Sequence, residues 1–169
     1  MQDTPVFKFA LREDLLDTGD LFLPRKATNG SAGWDVAAAP KDRKSIFIKP
    51  GQYVKIPLGI RGFIPEDWWY ELKPRSSTFA KKHLNALYGT IDCDFENELM
   101  FVATFQPDTA TTLGKDLEIK FGEKIAQIIP KKMHEMIIEN ISNEEYEKLC
   151  RKRGGNRIGG FGSSDTARK

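Results

Sequence analysis

The chain reads as an all-β protein of sandwich, jelly-roll or barrel type. Three observations predict this class: many short β-branched or aromatic stretches, turn residues that break them at close spacing, and a single convincing helix. Its 169 residues have room for one well-buried domain and little for a second.

The first strands are read over Ser45 to Ile48, Tyr53 to Ile56, Gly59 to Ile64 and Trp68 to Leu72. Lys49-Pro50-Gly51, Pro57 and Pro65-Glu66-Asp67 separate them as turn signals. A short helical turn over Ser77 to Lys82 would follow Pro74. Further strands are read over Leu99 to Phe105, Leu117 to Phe121, Ile125 to Pro130 and Met133 to Ile138. Tyr53 to Ile56 and Leu117 to Phe121 alternate apolar with polar, as half-buried strands do. Leu99 to Ala103 is continuously apolar, which predicts a strand buried on both faces. The helix is signalled by Ser142 with Glu145 three residues on, a capping box, and should run from Asn143 to Cys150 and stop near Gly154-Gly155. Beyond it, Gly154, Gly155, Gly159, Gly160 and Gly162 crowd a segment that cannot bury enough apolar area to offset its backbone entropy. The expected organisation is therefore one β domain over 1–152 and a flexible arm over 153–169. Arg157 and Phe161 are unusual in a bare spacer; a guanidinium and a ring among glycines suit an arm that closes over a ligand with a base and phosphates.

Composition limits the partners. A formal charge of +2, from 26 basic and 24 acidic residues, predicts no stable nucleic-acid or membrane partner. Cys93 and Cys150 stand in no metal-ligand spacing and suit a reducing compartment. Met1 to Pro5 lacks the basic and apolar segments of a secretory leader, so a cytoplasmic location is expected.

Five segments carry polar chemistry. They are Ser31-Ala32-Gly33-Trp34-Asp35-Val36, Pro74-Arg75-Ser76-Ser77, Gly89-Thr90-Ile91-Asp92-Cys93-Asp94-Phe95, Gly122-Glu123-Lys124-Ile125-Ala126-Gln127-Ile128-Ile129 and Gly159-Gly160-Phe161-Gly162-Ser163-Ser164. In order and interval this set resembles the five motifs of the trimeric, all-β dUTP pyrophosphatase (dUTPase) family. The resemblance implies a distorted jelly roll of the dUTPase-like β-clip kind. It also implies hydrolysis of dUTP to dUMP and pyrophosphate with Mg2+, which limits uracil in DNA and supplies dUMP for thymidylate synthesis.

That reaction needs an in-line water, a base to deprotonate it and cations to absorb charge on the leaving pyrophosphate. By resemblance Asp92 is the base, and Asp35 holds waters on the magnesium without binding the metal itself. Arg75, Ser76, Ser77 and Gln127 meet the phosphate chain. A hairpin from Ala86 to Phe95 reads uracil mainly through its main chain, with Ala86, Tyr88, Gly89 and Ile91 among the contacts. The Phe95 ring, where the family usually has tyrosine, lies against the deoxyribose and leaves no room for a 2′-hydroxyl. Phe161 stacks on the base, a contact worth ~1–3 kcal/mol for such pairs, with Gly162 and Ser163 beside it. The family's arginine three residues before the Gly-Gly-Phe-Gly core is Asn156 here; Arg157 is the choice for the γ-phosphate and Arg153 the alternative. The family is a homotrimer whose sites are built from three chains.

The nearest enzymatic rival, a dCTP deaminase, shares the Arg-Ser-Ser segment but needs a glutamate where Val102 stands. Asp108 to Lys115 and the helix from Asn143 read as insertions relative to shorter members.

Overall fold

Residues 4–108 and 114–154 of a computed structural model are described, and among them the chain forms eleven strands and two α-helices. In order these are β1 (Lys8–Leu11), a 3-10 turn over Glu13–Thr18, β2 (Trp34–Ala37), β3 (Ile46–Ile48), β4 (Tyr53–Pro57), β5 (Ile60–Phe63) and β6 (Trp68–Pro74). There follow α1 (Ser76–Ala80), β7 (Leu84–Ala86), β8 (Gly89–Ile91), β9 (Met100–Phe105), β10 (Leu117–Ile119), β11 (Lys124–Lys132) and α2 (Asn143–Arg153). The calls on Arg157, Phe161, Gly162 and Ser163 fall outside the described residues. The chain divides into two compact units, Met1–His134 and Glu135–Lys169.

In the first unit every strand pairing is antiparallel. A four-stranded sheet has the order β2-β11-β6-β8 and a three-stranded sheet the order β4-β9-β7, while β1-β5 and β10-β3 form two ribbons. Strand periodicity sorts the larger sheet into two faces. Val36, Ala126, Ile128, Leu72 and Tyr70 point into one contiguous core, where Ile56, Leu84, Phe101, Ala103 and Phe105 of the smaller sheet join them. The other face carries Asp35, Gln127, Lys73 and Glu71, in cross-strand register. An apolar face that must be buried and a polar face left over thus fix where chemistry can sit. On the core side, an apolar groove of about 800 Å³ runs past Phe7, Phe9, Trp34, Trp68 and Ile128. It carries none of the motif carboxylates or Arg75.

Three expectations are corrected. β9 alternates: Phe101, Ala103 and Phe105 are buried, and Met100, Val102 and Thr104 are half-buried, because a central strand packs one face on the core and leaves the other to its neighbours. Met133 to Ile138 forms no strand. The Met133 N–H donates to the Asp67 carbonyl at 2.7 Å just after β11 ends, and Met136, Ile137 and Ile138 stay exposed at 78%, 91% and 82%. The expected hairpin over Ala86 to Phe95 is not a paired hairpin: β7 pairs with β9 and β8 with β6, so the chain steps between sheets at Leu87-Tyr88.

The second unit is led by α2. Ser142 Oγ accepts from the Glu145 N–H at 3.2 Å, as the capping box requires, and Gly154 closes the helix in the left-handed region at φ 72°. Arg151, Lys152 and Arg153 in its last turn favour the negative end of the helix dipole and carry it one turn past Cys150. No residue of α2 is buried. No helix among the described residues is long and apolar enough to cross a membrane.

Candidate active site

The polar face is organised by an irregularity in β11. Its register with β2 shifts between Lys124, opposite Ala37, and Ala126, opposite Val36. The extra residue, Ile125, is a β-bulge, which breaks the alternation and re-aims the side chain before it. Lys124 would otherwise face the core with Ala126; opposite Ala37 it joins the face of Asp35. The Ile125 carbonyl faces the β6 side, toward the start of α1. That carbonyl accepts from the buried Thr78 hydroxyl at 2.6 Å and from the Arg75 N–H at 3.3 Å, which ties the start of α1 to the sheet.

Arg75 is thereby held over the cluster. Its Nε meets Asp35 Oδ1 at 3.1 Å and its Nη1 donates to the Lys124 carbonyl at 3.2 Å. Asp35 is only 8% exposed, and its backbone is fixed on both edges by β11 and by the exchange of hydrogen bonds with Arg25. Asp35 Oδ2 is buried and has no hydrogen-bond partner among the described residues; Lys124 Nζ stands 3.9 Å away, beyond hydrogen-bonding reach. A buried carboxylate oxygen without a donor is a place where a ligand or water belongs.

Gln127 lies opposite Asp35 and opposite Lys73. Its Nε2 donates to the Pro74 carbonyl at 3.1 Å, so the amide has a structural bond to the neighbouring strand. An amide nitrogen has two N–H groups, and the second is left for another acceptor. Gly33 makes room for this side chain: a Cβ there would stand 2.3 Å from Gln127 Oε1. Next door, Lys73 meets Glu71 at 2.8 Å and Lys131 meets it at 3.7 Å. The Lys73 ammonium beside it holds the Glu71 carboxyl below its usual range. Ser76 and Ser77 open α1, and neither hydroxyl is bonded to a described residue. Trp34 turns to the core side, where the Lys26 ammonium lies 4.5 Å from its ring centroid.

Asp92 is elsewhere. It is exposed, follows β8, and its carbonyl closes a turn by accepting from the Phe95 N–H at 3.3 Å. Around it Ile91 packs against the core and Ala86 is buried, while Tyr88 and Phe95 are 73% and 38% exposed. β2 and β8 are opposite edges of the sheet. Three strand spacings across and four residues along, Asp92 stands roughly 20 Å from Asp35. One copy of the chain therefore assembles Asp35, Arg75 and Gln127, and does not bring Asp92 to them.

Sequence reading missed two participants, Thr78 and Lys124. The signal available was the pair Ile125-Ala126, two successive buried residues ahead of a polar one, which breaks strict alternation. No group of three or more His, Cys, Asp or Glu side chains able to cage a metal occurs among the described residues.

The all-β fold has solved counterparts. A dUTPase of Staphylococcus bacteriophage 80alpha, solved with dUPNHPP, aligns with a TM-score of 0.73 at 21% identity, covering 95% of this chain and 98% of that one. The dUTPase of Streptococcus mutans aligns at 0.63 and 23% identity, over 78% and 98%. These likenesses define the fold as that of the dUTPases. The dUTPase family model matches residues 20–164. A deoxyuridine 5'-triphosphate nucleotidohydrolase of Wolbachia pipientis wMel is 34% identical over 147 residues, 86% of this chain and 88% of that protein. One from Rickettsia bellii is 37% identical over 145 residues, 84% and 86%. The chain belongs to the dUTPase family.

Proposed function

We propose that this hydrolase of dUTP works as a homotrimer with Mg2+, and that Asp92 is the base that activates the attacking water. The products are dUMP and pyrophosphate, so turnover withdraws dUTP from DNA synthesis and supplies dUMP for thymidylate synthesis. The observation that carries the site assignment is Asp35. It is buried against Arg75 with one oxygen unpartnered, on the face where Gln127 keeps a free N–H. Arg75, Ser76, Ser77 and Gln127 present donors that suit phosphate oxygens.

The residues fit magnesium held through water. Mg2+ keeps several waters and takes other ligands from phosphates, so it needs no protein cage. Asp35 Oδ2 offers an acceptor for such a water. When bound, the ion neutralises charge that grows on the leaving pyrophosphate.

The distance between Asp92 and Asp35 supports a site shared between copies. A base must lie within hydrogen-bond reach of its water, and one copy holds the two halves roughly 20 Å apart. The trimer supplies the base from one copy and the phosphate cluster from another. In the same reading, Ala86, Tyr88, Gly89, Ile91 and Phe95 select uracil and deoxyribose beside Asp92. The arm over 153–169 closes on the substrate with Arg157, Phe161, Gly162 and Ser163. The free thiols of Cys93 and Cys150 suit a cytoplasmic setting. The rival deamination has no acid/base group on β9, whose sequence MFVATF has no carboxylate.

Pyrophosphate release from dUTP, dCTP, dTTP and UTP by the wild type and Asp92→Asn tests this. Release should be confined to dUTP, and the variant should lose about 10²–10⁴-fold, the range for a general base. Full activity in the variant would remove Asp92 from the chemistry.

A further inference from the structure

Among the described residues two polar or charged ones are buried, Asp35 and Thr78, at 8% and 1% exposure. Both hold Arg75. Asp35 meets its guanidinium, with Oδ1 3.1 Å from Nε. Thr78 works on the backbone of the same residue. Its hydroxyl donates to the Ile125 carbonyl at 2.6 Å, and that carbonyl also accepts the Arg75 N–H at 3.3 Å. The Thr78 N–H returns to the Arg75 carbonyl at 3.0 Å, so Arg75, Thr78 and Ile125 close a small ring of hydrogen bonds.

Burial does not explain a hydroxyl at this depth. An apolar side chain of similar shape fills such a place as well and needs no hydrogen-bond partner. What the hydroxyl adds is direction. α1 has five residues and no side-chain cap, too short to hold its own orientation. The bond from Thr78 reaches a carbonyl 47 residues away in sequence and sets how this turn sits on β11. We propose that Thr78 is a positioning residue for phosphate binding. Without touching the substrate, its hydroxyl fixes the turn that presents Arg75, Ser76 and Ser77. Without that bond the Ile125 carbonyl keeps the longer contact to the Arg75 N–H alone, and the turn is free to tilt. This inference rests on the dUTP site proposed above.

Melting temperature and kcat/KM for pyrophosphate release from dUTP test it, using the wild type, Thr78→Val and Thr78→Ser. Thr78→Val should melt within a few degrees of the wild type, yet kcat/KM should fall about tenfold, because a slightly misplaced binding group slows a reaction by more than the bond removed. Thr78→Ser keeps the hydroxyl and loses a methyl, so it should melt lower than the wild type while its kcat/KM stays within about twofold. A purely structural threonine would move activity and stability together and would not be rescued by serine. Full kcat/KM in Thr78→Val, or equal losses in both variants, would overturn the assignment. If Thr78→Val gives no folded protein, Thr78→Ser is compared with Thr78→Ala, which differs from it by the hydroxyl alone; equal kcat/KM in that pair also overturns it. A wild type that releases pyrophosphate from dUTP beside an unaffected Thr78→Val sinks the positioning role alone. A wild type that releases none sinks the dUTP reading and the positioning role with it.

Discussion

At the scale of single residues, the site depends on what is missing as much as on what is present. Gly33 has no side chain because the Gln127 amide occupies the space, with Oε1 2.3 Å from where a Cβ would be built. That oxygen is the end of a flexible side chain, so Gly33→Ala should fold with a melting temperature within a few degrees of wild type. The amide would be pushed off Pro74 and out of the cluster, and kcat/KM should fall about tenfold, roughly one hydrogen bond to a charged group. A Gly33→Ala protein of normal stability and full activity would show that the Gln127 amide takes no part. Gln127 was legible in the sequence because a polar side chain within an apolar run needs a reason, and Asp35 and Arg75 were legible through the motifs they belong to. Gly33 was legible only as part of a motif; its physical role needs the position of a side chain 94 residues away in the chain, which no local pattern carries.

At the scale of elements, α2 and β11 show opposite relations between sequence and structure. α2 was readable because its determinants are local: Ser142, Glu145 and Gly154 act within one turn of the helix ends. With no buried residue, it draws little stability from packing within the chain, so its cap should matter more than usual. Ser142→Ala should cost the helix about 1 kcal/mol. Amide hydrogen exchange over 143–146 should rise several-fold while exchange in β6 and β11 is unchanged. Unaltered protection there would mean that packing, and not the cap, holds the helix. β11 was read as a strand, but its bulge was not, since the extra residue is defined only against the partner strand β2. Strands β1, β2, β7 and β8 escaped reading for a related reason: they are three or four residues long, and pairing rather than propensity makes them strands. Met133 to Ile138 failed the other way, with strand-like residues and no partner edge among the described residues.

At the scale of the whole molecule, the proposed site is split between the two edges of one sheet. The sequence showed which motifs belong together and their order, but not that Asp92 and Asp35 lie at opposite edges of one sheet. If each working site takes its base from one copy and its phosphate cluster from another, two impaired variants should revive each other. Asp92→Asn and Gln127→Ala, unfolded together and refolded as a mixture, should regain roughly a quarter of wild-type turnover by random assortment of copies. Refolded alone, Asp92→Asn should stay inactive and Gln127→Ala should keep about a tenth, and a mixture no better than its components would place the complete site within one copy. The divided sheet also has a hereditary meaning. Lesions in this one coding sequence should fall into two complementation groups, one around Asp92 and one around Asp35. Two defective alleles from different groups would then sustain a cell that neither sustains alone, whereas one allele damaged in both halves could only dilute its partner.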